Sequence, residues 1–226
     1  MTQVWEKLLF AHWPIPPHLI QQFIPPDLTL DLFEGQAWIS VVPFQMRLML
    51  RGIPGQIRFN ELNVRTYVVF KGKPGVFFLS LDADHPWMVW GARLSFSLPY
   101  FHAAITVVQN TSPDHFIYHC QRTEQGSPSG LFKGEYQSTS PIFSAIPGTL
   151  DYWLTERYCL YSINGKKQLF CGHVHHLPWS LQTASVEITE NTIVAADGLL
   201  LPQIAPILHY SDWLDVILWF PEKCSN

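Results

Sequence analysis

The chain has 226 residues, of which 47% are hydrophobic and only 14% charged, with a formal net charge of -4. That charge argues against nucleic acid as the main partner, and a chain of this length buries roughly 70% of its unfolded surface without disulfide or metal staples. Fifteen Phe, nine Trp and eight Tyr call for an aromatic core or an aromatic-lined cavity.

The N-terminal stretch MTQVWEKLLFAHWPIPPHL places Glu6 and Lys7 ahead of a very short apolar run and lacks a signal-peptide core. No window offers about 18 uninterrupted apolar residues, so no membrane span is expected, and a cytoplasmic location is. Pro16-Pro17 and Pro25-Pro26 bracket a short helix from about Pro17 to Phe23. A short strand over Leu28 to Leu32, a turn at Glu34-Gly35 and a strand over Gln36 to Phe44 follow. Arg47, Arg51 and Arg58, interleaved with Gly52, Pro54 and Gly55, read as a loop: either a solvated basic loop or an anion clamp.

The stretch from Phe59 to His102 organises the chain. FNELNVRTYVVF is a strand in which Glu61, Asn63 and Arg65 share one parity and therefore one face, with Leu62, Val64, Val68 and Phe70 on the other. In so apolar a chain, a polar ladder beside Tyr67 and Val69 reads either as the wall of a pocket or as a half-exposed strand with its polar face in water. Lys73-Pro74-Gly75 is expected to turn the chain into a buried strand over Val76 to Leu81. Asp84 is the expected cap of a helix in which Trp87, Trp90, Gly91, Leu94 and Leu98 form the packing stripe, leaving Arg93 off it.

Pro99 ends that helix. Phe101 to Val108, His115 to Arg122 and Leu131 to Gln137 read as strands, and Thr149 as the N-cap of a short helix. Asn164-Gly165 is the hairpin signal between Tyr158 to Ile163 and Lys167 to His176. Val186 to Thr189, Ile193 to Ala195, Ile207 to Tyr210 and Val216 to Phe220 complete the strands. The sum is one mainly β (α+β) domain over residues 1–226, a barrel or sandwich with a few short helices.

No phosphate-binding Gly loop, G-x-S-x-G elbow or H-E-x-x-H helix appears, and no cofactor is expected. Cys120, Cys159, Cys171 and Cys224 have no C-x-x-C spacing, so neither a zinc ribbon nor a disulfide framework is expected. Cys171, His173 and His175 share a strand face, with His176 pointing away; a metal there needs a further ligand such as His209 or a carboxylate, and satisfied structural imidazoles are the simpler reading. The acid–base candidates are Glu61 on the ladder and His102 beside Pro99-Tyr100.

The segments FNELNVRTYV, GKPGVFFLSLDA and ARLSFSLPY, with HWPI, AWISVVPF, PGTLDYWLTERYCLY, VHHLPWSLQ and LHYSDWLDV, resemble the YqjF-like family of bacterial proteins, which brings no established activity. More distantly, the order of elements resembles acetoacetate decarboxylase, in which a Pro-Lys-Lys segment supplies the Schiff-base lysine and its neighbour. Here that segment is Pro99-Tyr100-Phe101, while Arg93 and Glu61 match an Arg and an active-site Glu of that enzyme. Neither phenol nor phenyl forms the iminium that acts as electron sink. The resemblance therefore implies a curved antiparallel sheet or barrel and a pocket position, and it argues against the decarboxylase chemistry.

The leading expectation is a binder of a small anionic or carbonyl-bearing molecule, contacted by Glu61, Asn63, Arg65, Arg93, Tyr100 and His102. A second is an enzyme in which Glu61 or His102 moves a proton and Arg93 or Arg65 stabilises an oxyanion. A third is a partner-binding or structural protein with a filled barrel. Glu61 and Arg65, about 13 Å apart along a regular strand, are not expected to pair; Arg93 is the natural partner for Glu61.

Overall fold

In the computed structural model the chain is described at all residues but Arg51, Ile53, Thr111, Pro113, Ser225 and Asn226. β1 (Thr2–Ile15) leads through α1 (Pro17–Gln21) and β2 (Thr29–Leu30) to β3 (Ala37–Met49) and β4 (Ile57–Phe70). β5 (Lys73–Ala83), α2 (Pro86–Phe96), β6 (Tyr100–Gln109), β7 (His115–Arg122) and β8 (Leu131–Ser138) follow. The chain ends with α3 (Leu150–Thr155), β9 (Cys159–Ile163), β10 (Leu169–His176), β11 (Gln182–Asn191), α4 (Ile193–Ala196), β12 (Ile207–Leu218) and β13 (Glu222–Lys223). Among the described residues no helix is long and apolar enough to cross a membrane.

The strands form one large curved sheet in the order β13-β10-β9-β5-β6-β7-β8-β11-β12-β1-β3-β4-β2, and pairings β4–β5 and β10–β12 turn it back on itself. It is not purely antiparallel as expected: β5 runs parallel to β9 at Val76–Phe77 and parallel to β6 at Leu81–Ala83. One edge of β5 thus changes partner around residues 78–80, where β4 also shifts register between Val64 and Arg65. β1, β3 and β4 are buried on both faces. Leu9, Ile39, Val41, Leu62 and Val64 enter one apolar cluster, while Leu8, Phe10, Val42, Phe44, Phe59 and Tyr67 enter the other.

That double burial explains why β1 was not expected. A strand covered on both sides shows no alternation, and Lys7 at φ 54 breaks its pairing with β3 between Glu6 and Ala11. The turn after β4 is Lys71-Gly72, at φ 48 and φ 77, with Phe70 opposite Lys73; Lys73-Pro74-Gly75 already lies in β5. Two consecutive positive φ values are what a two-residue hairpin needs. Asn164-Gly165 sits in a five-residue loop closed by Ile163 opposite Leu169, not in a two-residue turn. Residues 193–196 are helical, and 207–218 form one strand. Thr149 caps α3 as expected, accepting from the Tyr152 amide.

α2 buries a different face from the expected stripe. Trp87, Trp90 and Leu94 are 74%, 62% and 71% exposed, whereas Val89 and Phe96 are buried. The helix is apolar nearly all round, so spacing cannot select its face; its connections to β5 and β6 do. Asp84 does not cap it: its carboxylate accepts from the Asn60 amide and side chain, and His85 occupies the N-cap position. The expected arginine loop also dissolves. Arg47 belongs to β3, where it pairs with Glu6 at 2.6 Å and stacks on Trp213, Arg58 belongs to β4, and Arg51 lies outside the described residues.

Gly75 permits the parallel approach of β9 to β5. A Cβ there would stand 2.7 Å from the Cys159 carbonyl oxygen and 2.7 Å from the Tyr161 ring. Gly75→Ala is expected to destabilise the fold by about 1–3 kcal/mol, the usual cost of overpacking, read as a lower urea midpoint at unchanged slope.

Candidate functional site

Strand geometry puts Glu61, Asn63 and Arg65 of β4 on one face, and the second cluster of aromatics packs over it. All three are buried, at 2%, 5% and 7% exposure. They line an inner chamber of about 70 Å³ together with Trp5, Phe10, Tyr100 and Trp179. Gln3, Met46, Leu98, Tyr100 and Leu218 are shared with an outer, almost wholly apolar and partly open chamber of about 230 Å³, also lined by α2 residues such as Met88 and Phe96 and by Phe220.

Tyr100 stands between the two. Its hydroxyl donates to Glu61 Oε2 at 2.7 Å, and the Tyr118 hydroxyl donates to the Glu61 carbonyl at 2.8 Å. Burial pushes the Glu61 carboxyl up to about 7; hydrogen bonds from Tyr100 and Asn63 restrain that rise, and Asp82 adds to it. Burial also drives the Tyr100 phenol well above its usual range, with Glu61 adding to the shift. Glu61 is therefore a carboxyl group that gains and loses its proton near neutrality, hydrogen-bonded to a phenol that keeps its own.

Arg65 lies farther along the ladder, its guanidinium 5.1 Å from the centre of the Phe10 ring. Its Nε and one terminal nitrogen are buried without a partner, as is the Asn63 amide oxygen. As expected, it does not bond Glu61. Burial lowers its pKa, the neighbouring Tyr67 opposing and Arg157 adding.

Arg93 and His102 stand elsewhere than expected. Arg93 does not reach Glu61: it donates from Nε and a terminal nitrogen to the Tyr100 carbonyl at 2.8 and 2.6 Å, and pairs with Glu124 at 3.0 Å. Its side chain is 38% exposed, on the outside of the Tyr100 backbone. Glu124 also accepts the His102 amide, and the half-exposed His102 ring lies 3.8 Å from it. Neither side chain lines the inner chamber. Arg93 positions Tyr100 from behind. Phe101 turns the other way, under the guanidinium of Arg122.

Sequence reading missed the chamber wall supplied by β1, from Gln3, Trp5 and Phe10, because it missed β1. It also missed Trp179, whose amide donates to Glu156 and whose indole donates to the Thr155 carbonyl. The available signal was a Trp between Pro and Ser in VHHLPWSLQ, too short to imply burial. His173 bonds Lys73 and Glu222 and His175 lies beside Trp219, and neither lines the chambers.

A family model, DUF2071, described as an uncharacterized conserved protein, matches residues 2–215. The Bacillus subtilis (strain 168) protein described as uncharacterized protein YqjF is 43% identical over 229 residues, spanning 100% of this chain and 93% of that one. Among solved structures, acetoacetate decarboxylase from Legionella pneumophila aligns at TM-score 0.68 and 16% identity, over 100% of this chain and 88% of its own. The enduracididine biosynthesis enzyme MppR complexed with pyruvate aligns at TM-score 0.66 and 14% identity, over 99% and 90%. At these identities the likeness is one of fold: this chain has the acetoacetate-decarboxylase-like architecture.

Two outcomes follow from the geometry. Arg93→Met is expected to cost about 1–2 kcal/mol in denaturant unfolding, the scale of hydrogen bonds to one carbonyl, and not the roughly 3–5 kcal/mol of stranding a buried charge. Glu61 titrates from 4.5 to about 7 on folding, so the folded chain holds that proton more tightly and wild-type stability falls as pH rises through this window. Glu61→Gln removes the effect and is expected to gain on wild type by about 3 kcal/mol between pH 4.5 and 7, then stay level. Burial depresses His12, His209 and His176 in both proteins, so their contribution, lost as pH falls below the ordinary histidine value, cancels in the difference.

Proposed function

We propose that this chain, which belongs to the DUF2071 family of uncharacterized conserved proteins, binds a small anionic or carbonyl-bearing molecule in its inner chamber, without Schiff-base chemistry. The observation that carries this reading is Arg65, a buried guanidinium with two nitrogens unpartnered in a chamber that also holds Asn63 and the Glu61–Tyr100 pair. Buried charges are normally paired. A carboxylate or carbonyl oxygen of a ligand supplies the acceptor that the protein does not, and Arg is suited to hold it through two parallel hydrogen bonds. The aromatic walls exclude water and strengthen that contact.

The contacts so assigned are Glu61, Asn63, Arg65 and Tyr100, with Arg93 holding Tyr100 in place. Among the described residues no lysine lines either chamber, which speaks against an iminium forming there. The unpartnered groups on the ladder speak against a filled structural sheet. The four cysteines are all free thiols, which suits the reducing cytoplasm in which we place the protein.

The MppR complex makes pyruvate the first probe. Calorimetric titration is expected to show binding of pyruvate that Arg65→Met weakens by about 10–100-fold, the equivalent of a charge-assisted hydrogen bond. Borohydride added with pyruvate is expected to leave the protein mass unchanged. Equal affinity in wild type and Arg65→Met would remove Arg65 from the site; a reduced adduct on a lysine would restore the amine chemistry.

Glu61 supports a second reading, in which it shuttles a proton to or from the carbon beside a bound carbonyl. A carboxyl with a pKa of about 7 is matched to that task at neutral pH. His102, outside the chamber, has no part in it. Exchange of the pyruvate methyl protons into deuterated water, followed by NMR and lost in Glu61→Gln, is the expected signature.

A further inference from the structure

A second cluster of reactive groups lies where β9 and β10 pair. Cys159 stands opposite His173 and Cys171 opposite Tyr161, so the two cysteines are diagonal neighbours on one face. Sheet twist draws one diagonal of such a pair together, and here the two Sγ atoms are 2.7 Å apart, both as free thiols. Lys73 Nζ lies 4.0 Å from Cys171 Sγ and 2.8 Å from His173 Nδ1. An ammonium only donates, so His173 Nδ1 accepts, and the ring proton sits on Nε2, which faces Glu222 at 3.0 Å. Cys171 is thus an all but buried thiol beneath a rim of exposed Lys73, half-exposed His173 and exposed Glu222. Among the described residues no group of three His, Cys, Asp or Glu side chains is placed to hold a metal.

We propose that Cys171 and Cys159 form a peroxide-reactive dithiol, with Cys171 attacking and Cys159 resolving. The Cys171 thiolate attacks one oxygen of hydrogen peroxide; the O–O bond breaks, and hydroxide leaves beside the Lys73 ammonium and takes up the proton Cys171 had released. The Cys159 thiol then attacks the sulfenic sulfur, the S–S bond forms and the second water departs. Two thiols lose two electrons and one peroxide becomes two waters; a dithiol reductant restores the pair.

The electrostatics divide the roles the same way. The hydrogen bond from Cys159 and then the Lys73 ammonium hold the Cys171 thiol below its ordinary range, against burial. The Cys171 contact and burial push Cys159 above it. The thiolate is the nucleophile, so Cys171 reacts first. Cys224, half-buried nearby, carries a thiol pushed up by burial, and Cys120 is fully buried on β7. These two are internal controls.

The test is oxidation of the reduced protein with equimolar hydrogen peroxide, quenching and unfolding in denaturant with iodoacetamide so that every remaining thiol is alkylated, and peptide mass spectrometry. The expected result is loss of two alkylatable thiols and a Cys159–Cys171 linked peptide, reversed by dithiothreitol, with Cys120 and Cys224 still alkylated. Cys159→Ser is expected to stop at a sulfenic acid on Cys171 that dimedone traps, and Lys73→Met to slow the first step. Wild type alone decides the matter if a variant fails to fold. A dimedone adduct that persists on wild-type Cys171, a link to Cys224, or oxidation of Cys120 as readily as Cys171 would overturn the assignment.

Discussion

The guanidinium of Arg122 is the constraint around which the sheet is arranged. From β7 it donates through Nε and a terminal nitrogen to the two oxygens of Asp82 on β5, at 2.8 and 2.9 Å, and its terminal nitrogen also reaches Asp197 beyond α4 at 2.9 Å. The Ser80 hydroxyl donates to Asp197, and the Phe101 ring of β6 covers the guanidinium at 4.1 Å. One buried cation thus ties together β5, β6, β7 and the turn after α4, where β5 exchanges one partner strand for another. Burial raises both Asp carboxyls, and the guanidinium only partly offsets it. The two carboxylates in turn hold the Arg122 guanidinium above its ordinary range against its own burial, so each member of the cluster depends on the others.

That geometry is the reverse side of the chamber wall. Asp82 stands opposite Leu62 on β4, and Ala83 opposite Glu61. The clamp therefore fixes the strand register one residue from Glu61, on the face turned away from it. A second support works from outside: Glu124 accepts the His102 amide and Arg93, and Arg93 grips the Tyr100 carbonyl. The chamber is thus lined by one set of polar groups and held by another. Arg93 and His102 belong to the holding set, though residue type alone made them look like members of the lining.

The ladder was legible in the sequence because strand parity is strict: once β4 forms, Glu61, Asn63 and Arg65 must share a face. Helix orientation was not legible, because α2 is apolar nearly all round and its attachment to the sheet buries Val89 and Phe96 and leaves Trp87 out. The partner of Arg93 was hidden for a related reason. Glu124 is remote in sequence and reaches Arg93 only after β6 and β7 pair. β1 escaped notice because two cores claim its two faces, erasing the period that marks a half-buried strand. The matched position of Tyr100 came from resemblance and not from pattern; the residues themselves said only that a Pro-Tyr turn ends a helix.

Tyr100 also limits what the proposed site can do. An amine at that position would bind a carbonyl covalently and draw electrons from it. A phenol bonded to Glu61 offers a hydrogen bond and shares control of one proton. What remains in the chamber is a carboxyl near its titration point, an amide oxygen and a guanidinium with open donors. An arginine keeps its charge even where burial lowers its pKa, so Arg65 cannot relieve its isolation by losing a proton as a lysine would. Tyr67 and the Phe10 ring lie beside it, and in the proposed reading its two open donors are met by a ligand. In the reading proposed here, that unmet charge selects the ligand, and Glu61, able to be neutral or ionised beside it, sets the protonation state in which the ligand is held.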